Sequence, residues 1–251
     1  METYINEIPE WLLEDDTYLF HGTSNLSEQN LDKGIIISFS FLPLDTLHRI
    51  ISIYEKMIWF GNHQGGFGVL KNYSNRDHHN NGKYFFLGET AHRCSLYASS
   101  DFAGGELVRS VYYCLNDLEE YLINPKFREK HKSDLVRDYE LYGKVDGVDL
   151  NWLESHVDSF KSILSDVASL RNSFKYGIIY CYKIEKEDYA SLVHRNGMGI
   201  LVKEPLPPER LKAKLVFNDP IENYFGNIFQ DKKRQDRYLK WFNRLGKNNI
   251  L

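Results

Sequence analysis

The chain has 251 residues, of which 42% are hydrophobic and 26% charged, with a formal net charge of −4. That length suits one large domain or two small ones, and the composition is that of an ordinary globular protein rather than a disordered one. The charge exerts no global pull toward nucleic acid or an anionic membrane, so partners have to be argued locally.

The chain opens with "METYINEIPEWLLEDD". Acidic residues lie among the apolar ones and no basic stretch precedes them, which is unlike a secretory signal peptide. No uninterrupted apolar stretch approaches the ~20 residues of a membrane span. The expectation is a soluble protein, cytoplasmic where it acts, with no membrane partner; delivery to a host cytoplasm without a cleavable signal is compatible with it.

Next comes "YLFHGTS", a strand-like run that ends at His21 beside Gly22. Residues 44–60 place Leu47, Ile50, Ile51, Tyr54 and Ile58 at three- and four-residue intervals behind Asp45 and Thr46, which predicts an amphipathic helix. The Gly-, Asn- and His-rich stretch 61–82 reads as a loop. His78 and His79 are adjacent there and point apart, with no acidic or cysteine partner at a ligand spacing, so no metal is expected.

"KYFFL" reads as a short strand and "GETAHRCSLYA" as a helix capped by the Thr90 hydroxyl. "ELVRSVYYCL" reads as a further strand. A helical insertion is expected over about 116–172, with Trp152, His156, Phe160, Ile163, Leu164 and Val167 on one face. "YGIIYCYKI", "GILVK" and "KAKLVF" return to strand character, the last two joined by "EPLPPERL", whose prolines forbid regular structure. A basic helix closes the chain at about 229–246, with Tyr238, Trp241, Phe242 and Leu245 on one stripe. Cys94, Cys114 and Cys181 are odd in number and widely spaced, matching neither a disulfide framework nor a zinc site. The fold class expected is α+β, a single domain over 1–251 with mostly antiparallel strands, flanking helices and that insertion.

A histidine at a strand end beside glycine presents an imidazole and an open backbone to one small volume, an arrangement for a planar polar ligand edge. The plainer alternative is a loop hydrogen bond and a turn. Tyr84 and Tyr97 supply two aromatic faces that could converge there. Aromatic pairs clamp flat rings, and a cationic ring gains cation–π attraction as well. Core packing is the competing explanation in a chain with 17 tyrosines.

In order and spacing, "YLFHGTS", "DKGI", "GKYFFLGETAHRCSLYA" and "GILVKEPLPPERLKAKL" resemble the ADP-ribosyltransferase superfamily, on its diphtheria-toxin and poly-ADP-ribose-polymerase side. The resemblance covers both ends of the chain and skips the helical middle. It implies a split antiparallel β core and NAD as co-substrate. It implies that His21 bonds a ribose hydroxyl, that the Gly22 backbone pairs with the nicotinamide carboxamide, that Tyr84 and Tyr97 sandwich the nicotinamide, and that Thr23 lines the pocket. His21 and Tyr84 are then the catalytic pair.

Breaking the nicotinamide–ribose bond builds positive charge at the ribose, which a nearby carboxylate stabilises. The family places a glutamate at the start of the strand before the proline turn. Here that position falls on Met198 or Gly199, and neither carries a carboxylate. Glu204 lies five residues from Gly199, about 16 Å along an extended strand, too far to serve. Glu209 suits the start of a short helical turn. Glu106 is a remaining alternative.

The activity implied is mono-ADP-ribosyl transfer to a macromolecular acceptor, protein or nucleic acid, as bacterial or phage toxins and effectors perform, with an inhibitory partner protein as a further expectation. The alternatives are an inactive module that binds NAD, ADP-ribose or a protein, and an NAD glycohydrolase. The basic tail, Lys232, Lys233, Arg234, Arg237, Lys240 and Arg244 with Trp241 and Phe242, suits phosphates and bases. A terminal helix docked on its own domain is the favoured reading of it.

Overall fold

The computed structural model describes residues 1–32, 48, 85–127, 129–130, 155–195, 199–225 and 232–246. The helix expected at 44–60, the loop at 61–82 and Tyr84 lie outside the described residues. The chain divides into two compact units, one of Met1–Phe39, Asn81–Gly105 and Ser173–Leu251, the other of Ser40–Asn80 and Glu106–Asn172. The architecture is α+β.

In the first unit the elements are β1 (Glu2–Ile5), α1 (Glu10–Glu14), β2 (Tyr18–Ser24), α2 (Glu28–Leu31), β3 (Phe85–Leu87) and α3 (Ala91–Ser95). The second unit contains α4 (Gly105–Ile123, whose first residue still belongs to the first unit) and α5 (Val157–Asn172). The first unit resumes with β4 (Gly177–Lys183), β5 (Leu192–Arg195), β6 (Gly199–Val202), β7 (Leu211–Phe217), α6 (Glu222–Phe225) and α7 (Lys232–Leu245).

The described strands form two sheets, ordered β1-β7-β4-β2 and β3-β6-β5. All pairings are antiparallel except β1 with β7. One bridge joins the sheets: Phe20 and Gly88 exchange both backbone hydrogen bonds, at 2.9 and 2.7 Å.

The strand β4, "GIIYCYK", is rich in β-branched and aromatic residues and buried on both faces. Its alternation builds two cores. Ile178, Tyr180 and Tyr182 pack with Leu19, Phe85, Leu87, Ile200 and Trp241, while Ile179 and Cys181 pack with Phe20, Ala91, Cys94, Ala98 and Leu215. Cys94 and Cys181 are free and buried.

The expected strands at 176–184, 199–203 and 212–217 are present as β4, β6 and β7. Thr90 caps α3, its hydroxyl accepting from the Arg93 amide at 3.1 Å. Two expectations are corrected. "ELVRSVYYCL" is helical, part of α4: Leu107, Val108, Val111 and Leu115 are buried at helical spacing, and that stripe overrides the strand preference of Val and Tyr. His21 does not end a strand, because β2 runs on through Ser24 in register with β4, with Ser24 opposite Gly177.

Within the second unit, Phe160, Ile163 and Val167 of α5 are buried and line up as expected, while His156 is exposed and Trp152 lies outside the described residues. Leu115, Leu122, Phe160 and Leu164 line one apolar cleft between α4 and α5, and the Arg171 guanidinium lies 4.6 Å over the Tyr112 ring.

The terminal helix α7 docks on the first unit. Trp241 is fully buried and Leu245 nearly so. Arg237, Lys240 and Arg244 are used in that docking. Arg237 donates to the carbonyls of Leu13, Asp15 and Glu89, while Lys240 and Arg244 hold the Asp16 carboxylate at 3.1 and 2.6 Å. The Arg244 hydrogen bond keeps the Asp16 carboxyl below the usual range.

Candidate functional site

His21 stands in the middle of β2, half-buried, with its ring 4.0 Å from the ring of Phe85. Its Nδ1 lies 2.9 Å from the Phe86 carbonyl. A carbonyl only accepts, so Nδ1 carries the proton and Nε2 keeps its lone pair. Burial pushes the imidazole down to about 4, and the bond to Phe86 only partly opposes this. At neutral pH His21 is therefore a neutral ring with a hydrogen-bond acceptor at Nε2.

That shift predicts a pH dependence. The folded value of about 4 lies below the ordinary 6.5, so the unfolded chain takes up the proton first as pH falls. The contribution is complete above about 6.5 and is lost toward 4, with an upper bound of about 3 kcal/mol before solvent screening. Urea denaturation of the wild type and His21→Gln from pH 7 to 4 is expected to show wild type losing ground to the variant across that window. Parallel curves would contradict the assignment.

Gly22 is buried against the helix that follows β3. A Cβ there would fall 1.8 Å from the Cys94 carbonyl oxygen and 3.2 Å from the Tyr97 Cβ. The expected open backbone is corrected on this point: the glycine admits α3, and its amide lies against the Cys94 sulfur, which donates to the Phe20 carbonyl at 3.1 Å. Burial pushes that thiol up to about 12.

Tyr97 sits in the first of two 3-10 turns after α3, Leu96–Ala98, edge-on to Phe102 at 5.1 Å, and remains 38% exposed. Thr23 is half-buried opposite Ile178. Strand alternation puts His21 and Thr23 on one face of β2 and Gly22 with Tyr97 on the other. Beyond Phe20↔Gly88, β2 has no further strand partner on that side among the described residues. The structure thus brings Tyr97 against Gly22 on one face of β2 and leaves His21 and Thr23 on the other.

At the expected glutamate position, Met198 lies outside the described residues and Gly199 begins β6 with φ +103°. A Cβ at 199 would fall 2.7 Å from the Leu87 carbonyl oxygen, and the nearest side-chain atom is the Arg93 guanidinium carbon at 3.9 Å. Glu204 is exposed beyond β6, and Glu209 sits in the helical turn Pro208–Arg210, as expected. Glu106 opens the helix of the second unit.

Sequence reasoning missed a buried charged cluster beside Gly199. Glu89 is fully buried. Arg93 Nη1 holds its Oε2 at 2.9 Å, and His194 Nε2 lies 3.4 Å from its Oε1. Although burial works the other way, His194 and Arg93 hold the Glu89 carboxyl below its usual range. The His194 ring is edge-on to Tyr238 and Phe242 of α7, at 4.5 and 5.6 Å. The legible signal was Glu89 and Arg93 four residues apart across the Thr90 cap.

Among the described residues, no group of three or more His, Cys, Asp or Glu side chains converges as a metal site would require, and no helix is long and apolar enough to cross a membrane. Comparison with protein-family models, with curated proteins and with solved structures returned no match for this chain.

Proposed function

We propose that this chain is an NAD-dependent mono-ADP-ribosyltransferase on a split antiparallel β core, acting on a macromolecular acceptor. The observation that carries the reading is the neutral His21, its Nδ1 held by the Phe86 carbonyl on one face of β2, with the exposed Tyr97 ring against Gly22 on the other. A dinucleotide is a two-part ligand, and β2 offers a different group on each face. His21 Nε2 would accept from a ribose hydroxyl and Tyr97 would cover the nicotinamide face, with Gly22 letting α3 close on β2 so that the Tyr97 ring is held beside the strand. Thr23 lines the His21 side, and Tyr84 is assigned the second ring from the family order alone.

A second reading is favoured by one observation: β6 begins on a glycine that has no room for a side chain. An NAD- or ADP-ribose-binding module without turnover would have that property.

Nicotinamide release from NAD, measured beside calorimetric NAD binding for wild type, His21→Ala and Tyr84→Ala, separates the two. Release that depends on both side chains and rises with cell lysate supports the transferase. Binding without release supports the module. Release that survives both substitutions removes the site assignment.

A further inference from the structure

We propose that Glu89 supplies the negative charge of this site in place of a glutamate on β6, and that Arg93 masks it until a bound ligand draws the guanidinium away. This rests on the NAD reading above.

The strand register places Glu89 where that charge is needed. The β3–β6 ladder ends at Leu87↔Ile200, so its continuation sets Gly88 opposite Gly199, one interstrand spacing of about 5 Å away, and Glu89 one residue beyond. The start of β6 cannot serve itself, because Gly199 has φ +103° and a Cβ there would strike the Leu87 carbonyl. Continuing the alternation of Phe85 and Leu87 sends Glu89 to the face on which His21 rests against Phe85. Its contact with His194, which shares the Leu192 face of β5, agrees.

The surroundings of Glu89 suit a held charge better than packing. A buried carboxylate is costly, and replacing such a pair by apolar residues is often neutral or stabilising. Here one oxygen is bound by Arg93, while the other meets only the His194 Nε2, at 3.4 Å and too poorly aligned for a good hydrogen bond, and the second His194 nitrogen has no hydrogen-bond partner among the described residues. A buried polar group left so incompletely satisfied calls for a reason beyond stability. Arg93 is the exchangeable partner: its side chain is 13% exposed, against 1% for Glu89. A guanidinium exchanges a carboxylate readily for a phosphate, since both accept from the same fork of N–H donors.

In the transfer reaction the ribose–nitrogen bond breaks with its electron pair passing to the nicotinamide nitrogen. The acceptor atom bonds the same ribose carbon and its proton leaves to solvent. Glu89 neither gains nor loses a proton; it is the fixed charge beside the carbon that becomes positive. The pyrophosphate of the donor is the group that competes for Arg93.

The test uses the purified full chain, nicotinamide release and calorimetric NAD binding. Glu89→Gln, which keeps the shape and removes the charge, is expected to bind NAD and to release nicotinamide about 100-fold more slowly. Arg93→Gln is expected to raise release about 10-fold, with no gain in the double variant. No structural role of the pair predicts that increase, and the Arg93→Gln arm decides the matter even where Glu89→Gln does not fold. Release by Glu89→Gln at the wild-type rate, or NAD-bound Arg93→Gln without faster release, overturns the proposal. Wild type that binds no NAD removes the underlying reading instead.

Discussion

Gly22→Ala is expected to cost about 3 kcal/mol or more, the upper end of what overpacking a protein interior costs. The added methyl would sit 1.8 Å from the Cys94 carbonyl oxygen and 2.8 Å from its carbon. Both are backbone atoms, so no side-chain rotation relieves the clash, and α3 has to lift off the sheet. Lifting it breaks the seat of Ala91, Cys94 and Ala98 in the core and carries Tyr97 away from β2. With a typical domain stability of about 5–15 kcal/mol, the variant survives only if the protein begins in the upper part of that range. Chemical denaturation reads the loss directly. NAD binding, where the variant still folds, is expected to fall further than His21→Ala alone would lower it. An alanine variant as stable as the wild type would mean that α3 does not sit as described.

Trp241→Ala is expected to cost about 3–5 kcal/mol, the range for deleting a buried large aromatic. The indole is fully buried, edge-on to Tyr189 at 6.0 Å, with the Arg244 guanidinium 5.0 Å over its ring. Its loss undermines the docking of α7, and with it the Arg237 and Arg244 contacts to residues 13–16. Trp241→Phe should behave differently. The indole N–H has no hydrogen-bond partner among the described residues, so phenylalanine keeps most of the apolar burial and removes a donor that satisfies nothing. The Tm of the phenylalanine variant is expected to stay far closer to wild type than that of the alanine variant. Equal losses would locate the role of Trp241 in its N–H.

The most legible elements were those whose local pattern and burial agree. Strand β4 is apolar on both faces, the Thr90 cap sits immediately before its helix, and the stripe of Tyr238, Trp241, Phe242 and Leu245 faces inward with Trp241 and Leu245 buried. Where pattern and propensity conflicted, propensity misled: Val108, Val111, Tyr112 and Tyr113 favour strands singly, but burial at helical spacing decides for α4. The approach of Tyr97 to Gly22 was legible, although the reason for the glycine was not, since the helix that needs it lies far along the chain. The Glu89, Arg93 and His194 cluster was illegible for the same reason: His194 comes from the opposite end of the sequence, and only strand pairing brings it within reach.

Two glycines seat α3 and the turn that follows it. Gly22 on β2 and Gly177 on β4 face the backbone carbonyls of Cys94 and Ala98, where a methyl would fall 1.8 and 2.1 Å away. The helix and the turn after it therefore lie on bare main chain instead of on interchangeable side chains. Their height above the sheet is fixed by bond geometry, and no graded series of larger or smaller residues can adjust it. Divergence in this part of the protein should run through the identity of the ring at position 97 and not through its position, and a lineage that lost either glycine would have to rebuild the whole segment in one step.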